Sequence, residues 1–173
     1  MAAEVRRAAG TPIQQCLLTE SLFEHGLGSL VLTRASTPYR VTLGSFLIDT
    51  FCLGIKDVVV RMIGSEELAM YIESMGAAAP LVPVDPSYAR KLLGDLAAGA
   101  GSIGFPPHRD FPIAEQVFGD TNAAACDADF RFGRDGKPFY VPGPTESPSQ
   151  IRRRIEHLRR TVSDDRFVLE ARV

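Results

Sequence analysis

Three carboxylates and one histidine are the side chains of this sequence best suited to chemistry. Asp49 lies inside LGSFLIDTF, an otherwise apolar run in which an isolated charge is costly to bury. Lys56 and Asp57 follow just beyond the next turn. Two readings of Asp49 stay open. In one it is structural, accepting hydrogen bonds from turn amides or pairing with Lys56. In the other, Asp49, Asp57 and Asp110 hold magnesium in the manner of a small metal-dependent hydrolase or nuclease. His108 stands in FPPHRDF, where a rigid Pro106-Pro107 bend would present His108, Arg109 and Asp110 together. That grouping suits a general acid/base beside an anion-binding guanidinium. The plainer alternative has Asp110 capping the following helix while His108 and Arg109 are solvated.

Arginine supplies a second kind of chemistry. Five arginines fall among the nine positions 152–160, opposed only by Glu156. Their plain reading is a solvated helix face. Their functional reading, with Arg131 and Tyr140 on a neighbouring hairpin, is a surface that binds phosphates and stacks a base. Arg152, Arg153, Arg159 and Arg160 are the expected contacts.

Other motif matches fail on context. Gly99-Ala100-Gly101-Ser102-Ile103-Gly104 fits the dinucleotide fingerprint in letters, but a helix precedes it and Phe105-Pro106-Pro107 forbids one from starting after it. Gly133-Arg134-Asp135-Gly136-Lys137 has two residues between its glycines where a phosphate loop needs four, and Pro138 follows the lysine. Cys16, Cys52, Cys126 and His108 are zinc-like donors, yet each lies on a separate segment, so buried thiols are expected instead. No cofactor is expected.

The elements that must position these residues read as follows. Residues 1–11 are expected to be a flexible tail, and Pro12 to about His25 a short helix. Strands are expected at Gly28–Arg34, Val41–Phe51 and Asp57–Ile63, forming an antiparallel meander. A helix capped by Ser65 runs to about Met75 and stops at Gly76. Asp85-Pro86 opens another that ends near Ser102, with small residues at Gly94, Ala97, Ala98 and Gly101 suited to a close backbone approach. Asp135-Gly136 marks a type I′ turn, which pairs Phe132 with Phe139 and Arg131 with Tyr140. Phe130, Phe132, Phe139 and Val141 then share the core face, and Pro138 puts its strand at an edge. Ser147-Pro148-Ser149-Gln150 is a capping box, and Ile151, Ile155, Leu158 and Val162 form one apolar stripe at about 100° per residue.

With 45% hydrophobic and 23% charged residues, the 173-residue chain has the composition of an ordinary globular domain. A formal net charge of −2 provides no global basic field, so any nucleic-acid contact must come from a local patch. No apolar run reaches the roughly 18 residues of a membrane span. MAAEVRRAAGTP lacks the apolar segment of a secretory signal, and three widely spaced cysteines suit a reducing compartment, so a cytoplasmic location is expected.

FLIDTFCLGIKD, IGFPPHRDF and FRFGRDGKPFYVPGP resemble segments of an uncharacterised bacterial protein family of unknown function. The likeness covers about residues 13–160 and implies no activity, cofactor or catalytic residue. The expectation is therefore a single α+β domain over residues 12–173, with an antiparallel sheet of four to five strands packed on helices and a C-terminal amphipathic helix. The expected function is a non-catalytic binding module contacting RNA, single-stranded DNA or an acidic protein surface through the arginine-rich helix. The metal-dependent hydrolase is the alternative, and a purely structural or assembly subunit is a third possibility.

Overall fold

A computed structural model describes residues 2–143, 146–162 and 167–169. The strongest signal in the sequence, alternating apolar runs broken by turns, becomes a meander: β2 (Leu27–Thr37), β3 (Arg40–Asp49) and β4 (Gly54–Gly64) pair antiparallel in succession. β1 (Ile13–Thr19) and β5 (Leu81–Pro83) extend the sheet on the β2 side, giving five antiparallel strands in the order β4-β3-β2-β1-β5. The chain forms one α+β domain, as expected.

Both sheet faces carry apolar residues because both are covered. One face sets Cys16, Leu18, Leu30, Leu32, Phe46, Ile48 and Ile55 against Leu92, Leu93 and Leu96 of α4 (Pro86–Ser102). The short α5 (Phe111–Ala114) and the 3₁₀ turn after it add Phe111, Val117 and Phe118 to the same core. The other face carries α3 (Ser65–Ala78), whose Leu68, Tyr71 and Met75 pack on Val31, Val41, Leu43 and Ile63.

Several local expectations are corrected. Residues 2–8, expected within a flexible tail, form helix α1 (Ala2–Ala8), with Val5 fully buried in the main core. Pro12–His25 is no single helix: β1 occupies its first part and the four-residue α2 (Leu22–His25) its last. Leu17 joins one core and Leu18 the opposite one, the period-2 alternation of a doubly covered strand. α3 runs through Gly76 to Ala78, and its N-cap is Gly64 rather than Ser65. In α4 the leucine face is buried, whereas among the described residues nothing lies within 4 Å of where a Cβ would stand on Gly94 or Gly101.

The Asp135-Gly136 turn forms as read, with φ of +54° and +75° at its two central residues. Its ladder stops at the Arg134–Lys137 bridge. One arm places Phe130 and Phe132 against the main core, with Phe130 edge-on to Tyr88 at 5.0 Å. The other arm forms β6 (Phe139–Tyr140), which pairs in parallel with β7 (Val168–Leu169) instead of returning to the first arm. Gly133 N–H donates to Thr50 O and Phe139 N–H to Phe51 O, so the arms clamp the end of β3. α6 (Pro148–Thr161) begins with the expected capping box at Ser147 and Gln150. Its Ile151, Ile155, Leu158 and Val162 dock on Cys52, Leu53, Tyr140, Ile103 and Phe105.

Arg34 closes the far side of the domain. Only 4% exposed, it donates from Nε to Val117 O (2.5 Å), from one terminal nitrogen to Phe118 O (2.6 Å) and from the other to Thr11 O. Its charge thus rests on three carbonyl dipoles from two distant segments.

Candidate functional site

The chain leaves β3 at Asp49 and re-enters the sheet at Gly54, so residues 50–53 must turn sharply over buried surface. Asp49 makes that turn possible. Its Oδ1 accepts from the amides of Phe51 and Cys52, both at 2.9 Å, and the carboxylate is 7% exposed. Burial pushes its pKa up, while the amide hydrogen bonds and the nearby Lys56 ammonium pull it down, and burial prevails. On the other side, Gly26 takes φ +77° and its carbonyl accepts from the Thr50 N–H at 2.7 Å. A Cβ on Gly26 would lie 2.2 Å from the Phe51 ring, so only glycine lets that ring sit where it does.

Phe51 is one wall of an open cavity of about 350 Å³. Leu27, Phe139, Val141 and Pro142 complete its apolar lining, and Lys56 and Arg134 bring cationic groups to it. The Arg134 guanidinium lies over the Phe139 ring, 4.8 Å from its centroid. Asp49, Glu24 and His25 also border the space.

Next to the cavity is a half-buried polar network that the sequence did not reveal. Tyr140, expected on an exposed hairpin face, is fully buried, and its hydroxyl donates to Glu146. Arg154 pairs with the other Glu146 oxygen and stacks over the Tyr140 ring at 5.9 Å. Burial together with Glu146 pushes the Tyr140 hydroxyl up to about 12. For Glu146 burial works upward, but the Tyr140 hydrogen bond and the Arg154 charge outweigh it and hold the carboxyl below its ordinary value. The local signal was the single inward-tilted arginine of α6; its partners depend on how β6 is placed. Cys52 and Cys16 are both pushed up to about 12, mainly by burial, which keeps them as thiols and poor nucleophiles.

His108 is brought to two of the three carboxylates. Its backbone N–H donates to Ile55 O of β4 at 2.9 Å. Nε2 lies 3.8 Å from Asp57 Oδ1, and Nδ1 lies 4.0 Å from Asp110 Oδ2. The Asp110 amide donates to Nδ1 at 3.3 Å, which leaves the proton of the neutral ring on Nε2, facing Asp57. Asp57 Oδ1 is itself engaged by the Val58 amide at 2.8 Å. Asp110 occupies the N-cap position of α5 without a side-chain capping bond, and Arg109 is solvated. Asp49 is turned to its own amides instead. Among the described residues no group of three or more His, Cys, Asp and Glu side chains is arranged to hold a metal ion.

Arg152, Arg153, Arg159, Arg160 and Arg131 are exposed. His157 anchors one flank of α6, with Nε2 at 3.1 Å from Ile103 O and its ring 5.1 Å from that of Phe105. Among the described residues no helix is long and apolar enough to cross a membrane.

The molecule thus belongs to the class of α+β domains built on a five-stranded antiparallel meander, with a charged cavity at one end and an arginine-faced helix docked beside it. No protein-family model matches the chain, and no curated protein or solved structure does so.

Proposed function

We propose that this chain is a non-catalytic binding module that contacts RNA or single-stranded DNA through the outer face of α6. The observation that carries the proposal is the docking of α6 by its apolar stripe, which leaves Arg152, Arg153, Arg159 and Arg160 facing outward on a rigid support. A face fixed in this way meets phosphates at little ordering cost. Arg131 adds a further exposed cation, but Tyr140 is buried, so recognition rests on the backbone of the nucleic acid and not on base stacking. Weak dependence on base sequence follows.

The test is a salt titration of binding to a single-stranded oligonucleotide. Replacing Arg152, Arg153, Arg159 and Arg160 with glutamine should lower affinity and reduce the log–log salt slope by about 0.7 for each phosphate that the variant no longer neutralises. Stability in urea should change little. Absence of binding by the wild type at low salt would overturn the proposal, and selective binding of an acidic protein would replace nucleic acid as the partner. The metal-dependent hydrolase reading has less support, because Asp49 and Asp57 each spend an oxygen on backbone amides. The assembly-subunit reading has no specific observation in its favour.

A further inference from the structure

We propose that the cavity beside Asp49 is a binding site for a small organic anion, a carboxylate or phosphate monoester with a compact apolar body. Its lining combines apolar walls with a few converging polar groups, the usual character of a small-molecule site. Lys56 and Arg134 enter from different segments, one from β4 and one from the turn that clamps the end of β3. Neither forms an ion pair within 4.0 Å among the described residues. Asp49, the carboxylate nearest in character to a partner for Lys56, directs Oδ1 to the amides of the turn. Glu24, exposed at the border, and Asp49 equal the two cations in number, and the Lys56 charge also acts on Asp49 and Glu146, yet among the described residues neither cation is paired with a carboxylate at contact distance.

The apolar side of the site is equally defined. Leu27 is 50% exposed beside the cavity, a surface that a ligand would cover. Phe51 is held by the bond from Thr50 to Gly26 and by the left-handed glycine that admits its ring. The Arg134 guanidinium rests over the Phe139 ring, a contact that keeps the cation at the cavity's edge. The anionic group is placed between Lys56 and Arg134, and the apolar body against Phe51, Leu27 and Val141. This site is separate from the α6 arginines.

The experiment is titration of the ¹⁵N-labelled full chain with phenyl phosphate, benzoate and inorganic phosphate, followed by amide chemical shifts. Phenyl phosphate or benzoate should move the amides of Gly26, Phe51, Lys56, Phe139 and Val141. Comparing the two identifies which anion is preferred. Arg134→Gln and Lys56→Gln should each weaken the better probe by roughly tenfold, the scale of one charge-assisted hydrogen bond. Arg152→Gln and Arg153→Gln should leave it unchanged, and each variant is first shown to melt as the wild type does. Shifts centred on α6, no shifts at millimolar probe, or unaltered affinity in Arg134→Gln and Lys56→Gln would each overturn the proposal. Inorganic phosphate binding as tightly as phenyl phosphate would overturn the role of the apolar walls.

Discussion

At the scale of single residues, the buried Asp49 and the half-buried Glu146 are carboxylates with opposite consequences for stability. Asp49 sits above its ordinary value of 3.8, so its contribution is greatest below that pH and declines as pH rises through its folded-state pKa. Asparagine keeps an acceptor for the Phe51 and Cys52 amides without the charge. Asp49→Asn should therefore gain stability relative to wild type as pH is raised from strongly acidic values. Urea unfolding at a series of pH values measures this, and a pH-independent difference would contradict it. Glu146 lies below its ordinary 4.5, so its stabilisation is present above that pH and lost as pH falls through its folded-state pKa. Glu146→Gln should flatten that acid limb. The conflict at Asp49 was legible in the sequence, since a charge within LGSFLIDTF must find partners and the turn amides are nearest. The Tyr140–Glu146–Arg154 network was not legible, because alternation along an assumed hairpin placed Tyr140 outside.

At the scale of elements, the features read correctly were those whose causes are local. The Ser147 capping box, the Asp85-Pro86 helix start and the Asp135-Gly136 turn each depend on neighbouring residues alone. Gly136→Val would put a β-branched residue at φ +75° and should cost more than about 1 kcal/mol, measured by urea unfolding. The open space around Gly136 means the cost would come from the backbone and not from a clash. β1 and α1 escaped because their structure is imposed from elsewhere: β1 is held between β2 and β5, and α1 by the core under Val5. The ladder ends at Arg134–Lys137, and beyond it Phe130 and Phe132 pack on the main core while Phe139 pairs elsewhere. α6 was readable as an amphipathic helix, though not where it docks. Leu158 is its fully buried contact, and Leu158→Ala should cost about 2–5 kcal/mol, read as a lowered urea midpoint.

At the scale of the whole molecule, the meander supplies a framework of near neighbours in sequence, whereas closure of the domain relies on segments far apart. Arg34 makes that division explicit, since two of its three carbonyl partners lie 83 and 84 residues further along the chain. Contacts of such long range are costly to form early, because the intervening loop must close first. The staple is therefore expected to be absent from the folding transition state. Arg34→Met should accelerate unfolding and leave the refolding rate nearly unchanged, a difference that stopped-flow kinetics would resolve. A proportionate fall in the refolding rate would instead place Arg34 in the nucleus. If the staple does form last, one buried guanidinium governs how long the native state survives and has little bearing on how quickly it is reached.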